Sequence, residues 1–139
     1  MEELVRFGVS INPHLLEQFD KVIRSKGYPS RSEALRDLIR DHLVEYKWES
    51  DEGEVVGTIT LIYDHHTNNL LPLLNDLQHD YHPLVQSTMH IHLDHHNCME
   101  VLIVKGPAQL AREIAERLIS MKGVKHGKLT ITSTGEDLR

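Results

Sequence analysis

The sequence predicts an α+β protein made of two small domains, and three observations carry this prediction. Apolar and polar residues alternate over residues 4–11, and two stretches with a helical apolar stripe follow up to about residue 48. Residues 49–53 are polar and end in a glycine, as in a linker. From residue 54 the pattern reads strand, helix, strand, strand, helix, strand. We therefore divide the chain into a first domain at 1–48, a linker at 49–53 and a second domain at 54–139.

The first domain is predicted to be one strand followed by two helices. The alternation that indicates a strand with one buried face involves Val5, Phe7, Val9 and Ile11. Asn12 before Pro13 begins the first helix, and Ser30 with Glu33 at capping-box spacing begins the second. One strand and two short helices cannot close a core alone. We therefore expect two copies to pair their strands in the β-α-α dimer known as a ribbon-helix-helix module.

A paired ribbon of this kind fits the major groove of double-stranded DNA. Its exposed face carries Arg6, Gly8 and Ser10, which we predict to face base edges. The free N–H groups that begin the second helix, near Arg31 and Ser32, are suited to bind a phosphate. Residues 1–48 hold eight basic and eight acidic residues, so the net charge of −6 lies in the rest of the chain. The prediction of DNA binding therefore depends on the geometry of the ribbon and not on its charge. The alternative is that Arg6 and Ser10 are ordinary strand residues that face solvent.

Composition limits where the protein acts. No apolar run approaches the roughly 18 residues that a membrane-spanning helix needs. The first residues, Met1-Glu2-Glu3, are acidic where a signal peptide would be basic. A single cysteine, Cys98, excludes a disulfide within the chain and suits a reducing compartment. We expect a cytoplasmic protein with no membrane partner and no organic cofactor.

The second domain follows the β-α-β-β-α-β order of ferredoxin-like folds. We predict strands at 54–63, 87–93, 98–104 and 127–133 and helices at 69–81 and 107–121. On the two middle strands, one set of alternating residues is apolar, and we expect this set to face the core: Met89, Ile91, Leu93, Met99, Val101 and Ile103. Aligning the two apolar sets fixes the hairpin register, because a slip by one residue would turn every side chain over. This register places His92 opposite Cys98 and His90 opposite Glu100.

A metal site follows from that register. The chain has eleven histidines and one cysteine, and His90, His92 and Cys98 would lie together on one face. Imidazoles and a thiolate bind nickel, copper or zinc, whereas Mg²⁺ and Ca²⁺ prefer oxygen. His79 is a candidate fourth ligand; because a helix is expected to cover the other sheet face, we expect a neighbouring subunit to supply it. Five other histidines are interpreted as solvated: His65, His66, His82, His95 and His96.

Two further side chains are predicted to support the ligands. Gln78 precedes His79 on the helix, and Glu100 lies beside the cluster on its strand. Such polar neighbours orient metal ligands through hydrogen bonds.

The chain resembles the nickel-responsive regulator family, NikR. The motifs that carry the resemblance are residues 30–37, 77–79, 89–92, 97–100, 105–106 and 123–127, the last with the sequence Gly-Val-Lys-His-Gly. The resemblance implies a homotetramer with one square-planar Ni(II) per subunit at the tetramer interface. His90, His92 and Cys98 would come from one subunit and His79 from another. Nickel would then promote operator binding and repress nickel-uptake genes.

The resemblance also implies a second cation, potassium, between the domains near Glu33 and Asp37. Two positions depart from the family pattern. Gly8 stands where a hydroxyl-bearing ribbon residue is expected, and Thr67 replaces a basic residue. These departures put contacts to bases and to the DNA backbone in doubt at those two positions.

Three other functions remain open from the residues alone. The main alternative is a regulator that senses a small organic ligand and keeps a structural metal site. A second is a zinc ion that only staples the tetramer. A third is metal-assisted hydrolysis, which we do not favour because a four-ligand site leaves no position for water. We therefore expect a regulator and not an enzyme.

Overall fold

The structure is a computed structural model that describes residues 3–51, 53–67, 69–136 and 138–139. It divides into two compact units, Met1–Asp41 and His42–Arg139. Across the described residues, none of the helices is long and apolar enough to cross a membrane. The division falls inside the second helix, earlier than the predicted boundary at residue 48.

The first unit contains α1 (Pro13–Ser25) and the beginning of α2 (Arg31–Ser50). Asn12 caps α1 as predicted, because its Oδ1 accepts a hydrogen bond of 2.8 Å from the N–H of His14. Ser30 caps α2 in the same way, with Oγ accepting from the N–H of Glu33 at 3.2 Å. Gly27, at φ +80°, ends the turn after α1 in a left-handed conformation that glycine adopts without strain.

The strand predicted at 4–11 is not paired within the chain. Residues 3–12 form no strand, and the apolar set of the alternation is exposed, with Val5 at 86% and Phe7 at 69%. The physical reason is that a strand needs a neighbour for its hydrogen bonds, and the described part of this unit contains no second strand.

The second unit contains the C-terminal part of α2 and a four-stranded antiparallel sheet of order β2-β3-β1-β4. Two helices, α3 and α4, pack on one sheet face. The ferredoxin-like order of elements is as predicted, with bounds β1 (Glu54–Asp64), α3 (Leu70–Asp80), β2 (Val85–His92), β3 (Asn97–Pro107), α4 (Ala108–Ile119) and β4 (Val124–Thr132).

The end of α2 belongs to the core of this unit. Trp48 is only 2% exposed, and its indole Nε1 donates a 2.8 Å hydrogen bond to the carbonyl of Thr132 on β4. The helix continues to Ser50, through part of the segment expected to be a linker. The apolar body of the indole is buried while its one donor is satisfied, the arrangement that makes a buried tryptophan stabilising.

The prediction of which hairpin face is buried is wrong, whereas the predicted register of the two strands is right. β2 and β3 pair His92 with Cys98 and His90 with Glu100. The helices cover the opposite residue set from the one expected: Cys98, Leu102 and Val104 on β3 are fully buried. The residues expected to face the core are exposed or half-buried; Met89 is 69% exposed and Ile91 is 41% exposed. Both faces of β3 carry apolar residues, so alternation separates the two sets without telling which one the helices cover.

Candidate metal centre

The centre lies at the end of the hairpin, where three ligand atoms approach one another. Cys98 Sγ is 3.3 Å from His92 Nδ1 on the neighbouring strand and 3.2 Å from His65 Nδ1. His65 is the first residue after β1. Metal–sulfur bonds of about 2.3 Å and metal–nitrogen bonds of about 2.0–2.1 Å place adjacent ligand atoms roughly 3.1–3.5 Å apart. The separations here fit that range, so the N₂S set can hold a borderline divalent metal.

Hydrogen bonds to the carboxylate of Asp94 fix the hairpin loop that carries part of the centre. In the hairpin loop, Asp94 accepts from the N–H groups of His96 and Asn97 at 2.9 and 2.8 Å and from the Asn97 amide at 3.0 Å. These bonds, the Asn97 side chain first, lower the pKa of Asp94 to about 2. The loop is therefore held by a carboxylate that stays ionised at neutral pH.

The thiol of Cys98 is buried in a negative surrounding. Burial raises its pKa, and the carboxylates of Asp64, Asp94 and Glu100 raise it further. Burial also lowers the pKa of His65, and the neighbouring His66 and His92 act in the same direction. Without metal the centre thus favours a neutral thiol on Cys98 and a neutral imidazole on His65.

Glu100 lies two residues from Cys98 on the same face of β3, and Gln78 on α3 contacts Glu100. Glu100 is 7% exposed; its Oε1 accepts from Gln78 Nε2 on α3 at 3.4 Å, and its Oε2 accepts from the Tyr63 hydroxyl at 3.5 Å. Burial raises the pKa of Tyr63, and the charges of Glu100 and Cys98 add to this effect. A carboxylate next to the thiol is thereby connected to helix α3.

His90 and His79 lie apart from this N₂S set. The ring centroids of His90 and His92 are 5.2 Å apart, and those of His90 and Tyr63 are 6.0 Å apart. Among the described residues, neither His79 nor His90 belongs to a group of three potential ligand atoms within 4.8 Å of one another. The predicted ligand set is therefore only partly assembled in one chain.

Helix α3 does not lie where the sequence led us to expect it. α3 packs on the same sheet face as Cys98, not on the opposite one. Gln78 faces Glu100, and consecutive helix residues point about 100° apart, since a turn takes 3.6 residues. His79 is consequently turned outward and exposed. It is directed away from the cluster in its own chain, although its helix lies beside the cluster.

His65 is the residue that sequence analysis missed. It was interpreted as solvated, whereas it is half-buried beside the thiol. The signal that would have found it is the pairing of β1 with β3, in which Asp64 lies opposite Asn97. In a ferredoxin-like sheet those two strands are neighbours, and the antiparallel register sets Tyr63 opposite Cys98, so the end of β1 lies beside the thiol.

The residues predicted to contact DNA are exposed in the first unit. Arg6, Gly8 and Ser10 lie in the unpaired N-terminal segment. Arg31 is bound to Asp20 through two hydrogen bonds of 2.9 and 2.8 Å, a pairing that the sequence did not indicate. Ser32 is exposed in the first turn of α2.

The two carboxylates predicted for a second cation have partners in this chain. Asp37 accepts from the Tyr28 hydroxyl at 2.7 Å and from Arg40 at 3.0 Å. Glu33 pairs with Arg36. A cation bound there would have to share or displace these donors.

Each half of the chain matches a known protein family. Residues 56–132 match the NikR C-terminal nickel-binding domain, and residues 5–46 match ribbon-helix-helix proteins of the copG family. Nickel-responsive regulators of Geobacter sulfurreducens and Geotalea uraniireducens are 57% and 56% identical over 138 residues, 99% of each chain. One from Nitratidesulfovibrio vulgaris is 52% identical over the same length.

A solved structure extends the comparison at the level of the fold. An uncharacterized protein of Thermotoga maritima superposes with a TM-score of 0.51 at 13% identity, covering 56% of this chain and 96% of its own. The full-length relatives and the nickel-binding domain show that the chain belongs to the nickel-responsive regulator family, NikR.

Proposed function

We propose that this protein is a nickel-gated DNA-binding repressor that acts in the cytoplasm on nickel-uptake genes and carries out no catalysis. The observation that carries the proposal is the thiol of Cys98 within 3.3 Å of an imidazole nitrogen of His92, next to a buried carboxylate. Neutral imidazoles and a thiolate in a square-planar set suit Ni(II) better than Zn(II), which prefers a tetrahedral set. Membership of the family supports nickel as the physiological ion.

We propose that His79 of a partner subunit completes a set formed by His90, His92 and Cys98, with one Ni(II) per subunit. The exposed position of His79 and the exposed edge of β2 support a ligand that comes from outside the chain. Gln78 and Glu100 would orient the thiolate and connect it to α3. Nickel binding would thus act on α3 of one subunit and on the hairpin of another.

A homotetramer accounts for two uncovered surfaces. The N-terminal segment exposes the apolar set of its alternation, and pairing with a second copy would bury it. The sheet face without helices exposes Met89, Ile91 and Ile103, and a second interface there would bury them. Two different self-contacts give a dimer of dimers.

We propose coupling by population shift. Nickel would favour the arrangement of DNA-binding modules that fits the operator, to the extent that it binds that arrangement more tightly. We also keep potassium near Glu33 and Asp37 in the proposal, because carboxylate oxygens are ligands that hard cations prefer.

The proposed function is tested by operator binding of the metal-free protein. Fluorescence anisotropy on the DNA upstream of its own gene would compare chelator, Ni(II) and Zn(II) at one salt concentration, since such affinities depend on salt. Tight binding with Ni(II) alone is expected. Equal binding in all three conditions would reduce the metal to a structural role and overturn the proposal.

Nickel affinity is expected to rise with pH. Burial holds the pKa of Cys98 above its usual value, so the thiol is protonated at neutral pH and nickel must displace that proton. One released proton gives about tenfold in affinity per pH unit. Competition with a chelator from pH 6 to 8, corrected for protonation of the chelator, measures the slope; affinity independent of pH would contradict a thiolate ligand.

Arg6→Ala is expected to weaken operator binding by about 1–3 kcal/mol and to relax the preference for one base pair, as loss of a base-edge contact does. Arg6 is exposed on the segment predicted to form the ribbon. Lys122→Ala removes the same charge at an exposed turn after α4 and is the matched control. Equal effects of the two variants on anisotropy titrations would assign Arg6 a purely electrostatic role.

A further inference from the structure

An ion pair joins the two helices of the first unit across the turn that separates them. Asp20 lies in α1, and Arg31 is the first residue of α2. Arg31 Nε donates to Asp20 Oδ1 at 2.9 Å, and Arg31 Nη2 donates to Asp20 Oδ2 at 2.8 Å. Two parallel hydrogen bonds of this kind fix the orientation of the guanidinium plane, whereas a single contact would leave it free to turn.

The bonds to Asp20 occupy one edge of the guanidinium and leave its end available. Both N–H groups of Nη1 and the second N–H of Nη2 are not used by Asp20. The Arg31 side chain is 57% exposed, whereas that of Asp20 is 27% exposed, so the unused donors belong to the partner that is more open to solvent. An edge with two parallel N–H groups matches two oxygens of a phosphate.

Asp20 has two opposite effects on a phosphate bound by Arg31. Its negative charge repels the phosphate, and the hydrogen bonds from Arg31 lower the pKa of Asp20, so it stays ionised at neutral pH. Against this, Asp20 restrains a long side chain that would otherwise lose rotamer freedom when DNA binds. Water and salt screen the repulsion at an exposed site, but they do not weaken the restraint. We therefore expect the restraint to dominate.

We propose that Asp20 is a positioning residue for DNA binding, which holds Arg31 by one edge and presents the other edge to a backbone phosphate. The proposal rests on the proposed function for the role of this unit in DNA binding. Ser30 Oγ already accepts the first-turn N–H of Glu33. Phosphate binding at the start of α2 therefore depends on the Arg31 side chain and not on that N–H group.

The test compares full-length, Ni(II)-bound variants by fluorescence anisotropy on the DNA upstream of the gene, over a series of salt concentrations. Asp20→Asn keeps the size of the side chain and removes its charge and one acceptor. We expect it to weaken binding by about three- to tenfold, since ordering one long side chain on binding costs that much affinity. The slope of log affinity against log salt should fall by up to about 0.9 for each phosphate contact that is lost.

Glu17→Gln is the matched control for the change of charge. Glu17 lies on the same helix, its side chain is 65% exposed, and its partner is Lys21 at 3.9 Å. The variant removes the same negative charge without changing a partner of Arg31, so DNA binding should stay equal or become tighter. Opposite signs for the two variants separate positioning of Arg31 from net charge.

A double-mutant cycle separates positioning from damage to the fold. In an Arg31→Ala background, Asp20→Asn should not weaken DNA binding further, and Asp20→Glu alone should keep most of the parent's affinity. Unchanged or tighter binding of Asp20→Asn, or an equal loss with and without Arg31, would overturn the proposal. Nickel gating fails separately, because a parent that binds the operator equally with chelator and with Ni(II) still allows these comparisons.

Discussion

Cys98→Ala is expected to abolish tight nickel binding and, with it, nickel-dependent binding to the operator. Cys98 is the single cysteine of the chain, so no other thiolate of the same chain can replace it as a metal ligand. Loss of a residue that merely orients a ligand costs about 10–100-fold in metal affinity, so loss of the ligand should cost at least as much. Chelator competition and loss of the thiolate-to-nickel absorption measure the effect.

The control for that variant separates metal binding from folding. Cys98 is fully buried, so the alanine leaves a small space, and thermal unfolding of the metal-free proteins shows how much stability is lost. His82→Ala removes an exposed imidazole that precedes β2 and should keep nickel affinity. A Cys98→Ala protein with the nickel affinity and spectrum of the parent would show that the ligand set is wrong.

Trp48→Ala is expected to lower the free energy of unfolding of the second unit by about 3–5 kcal/mol, the usual cost of replacing a buried aromatic residue with alanine. Trp48 is 2% exposed, and its ring lies against Gly57. Its indole N–H donates a hydrogen bond to the carbonyl of Thr132. The change leaves a cavity and an acceptor without its donor. Urea unfolding followed by circular dichroism at one protein concentration measures it, since the chain has no other tryptophan for fluorescence.

Tyr46→Ala, on the same helix, is the matched control. Tyr46 is 55% exposed, so its replacement should cost much less than that of Trp48. A loss below about 1 kcal/mol for Trp48→Ala would mean that the end of α2 does not stabilise the sheet.

Local patterns were sufficient to predict the order of elements and the hairpin register. Helix caps at Asn12 and Ser30 depend only on neighbouring residues, and both are formed. The pairing of His92 with Cys98 follows from alternation, because a one-residue slip reverses both faces. These features are encoded within a few residues of one another.

The face of the hairpin was not predictable from alternation. Leu102 and Val104 form one apolar set and Val101 and Ile103 form the other, so both faces of β3 are apolar. Which set is buried depends on where α3 and α4 pack, and tertiary contacts decide this, not the local sequence pattern. The error carried over to His79, whose helix lies on the thiol side of the sheet and not on the other.

The role of His65 escaped prediction for a related reason. The thiol that His65 contacts lies on β3, which α3 and β2 separate from β1 in the sequence. A contact of this kind is set by the sheet order and not by spacing in the sequence. The N-terminal segment is a different case: its alternation is clear, but residues 3–12 form no strand, because the described part of the first unit offers no second strand to pair with.

The most direct test of a nickel site shared between subunits is complementation between two inactive variants. His79→Ala keeps Cys98, and Cys98→Ala keeps His79, so neither variant alone can build the proposed four-ligand set. Co-expression with two affinity tags and purification on both tags yields mixed tetramers. We predict that these tetramers regain the nickel absorption band and nickel-dependent operator binding at a fraction of the sites. Mixed tetramers that bind nickel no better than either variant would contradict a ligand set drawn from two subunits.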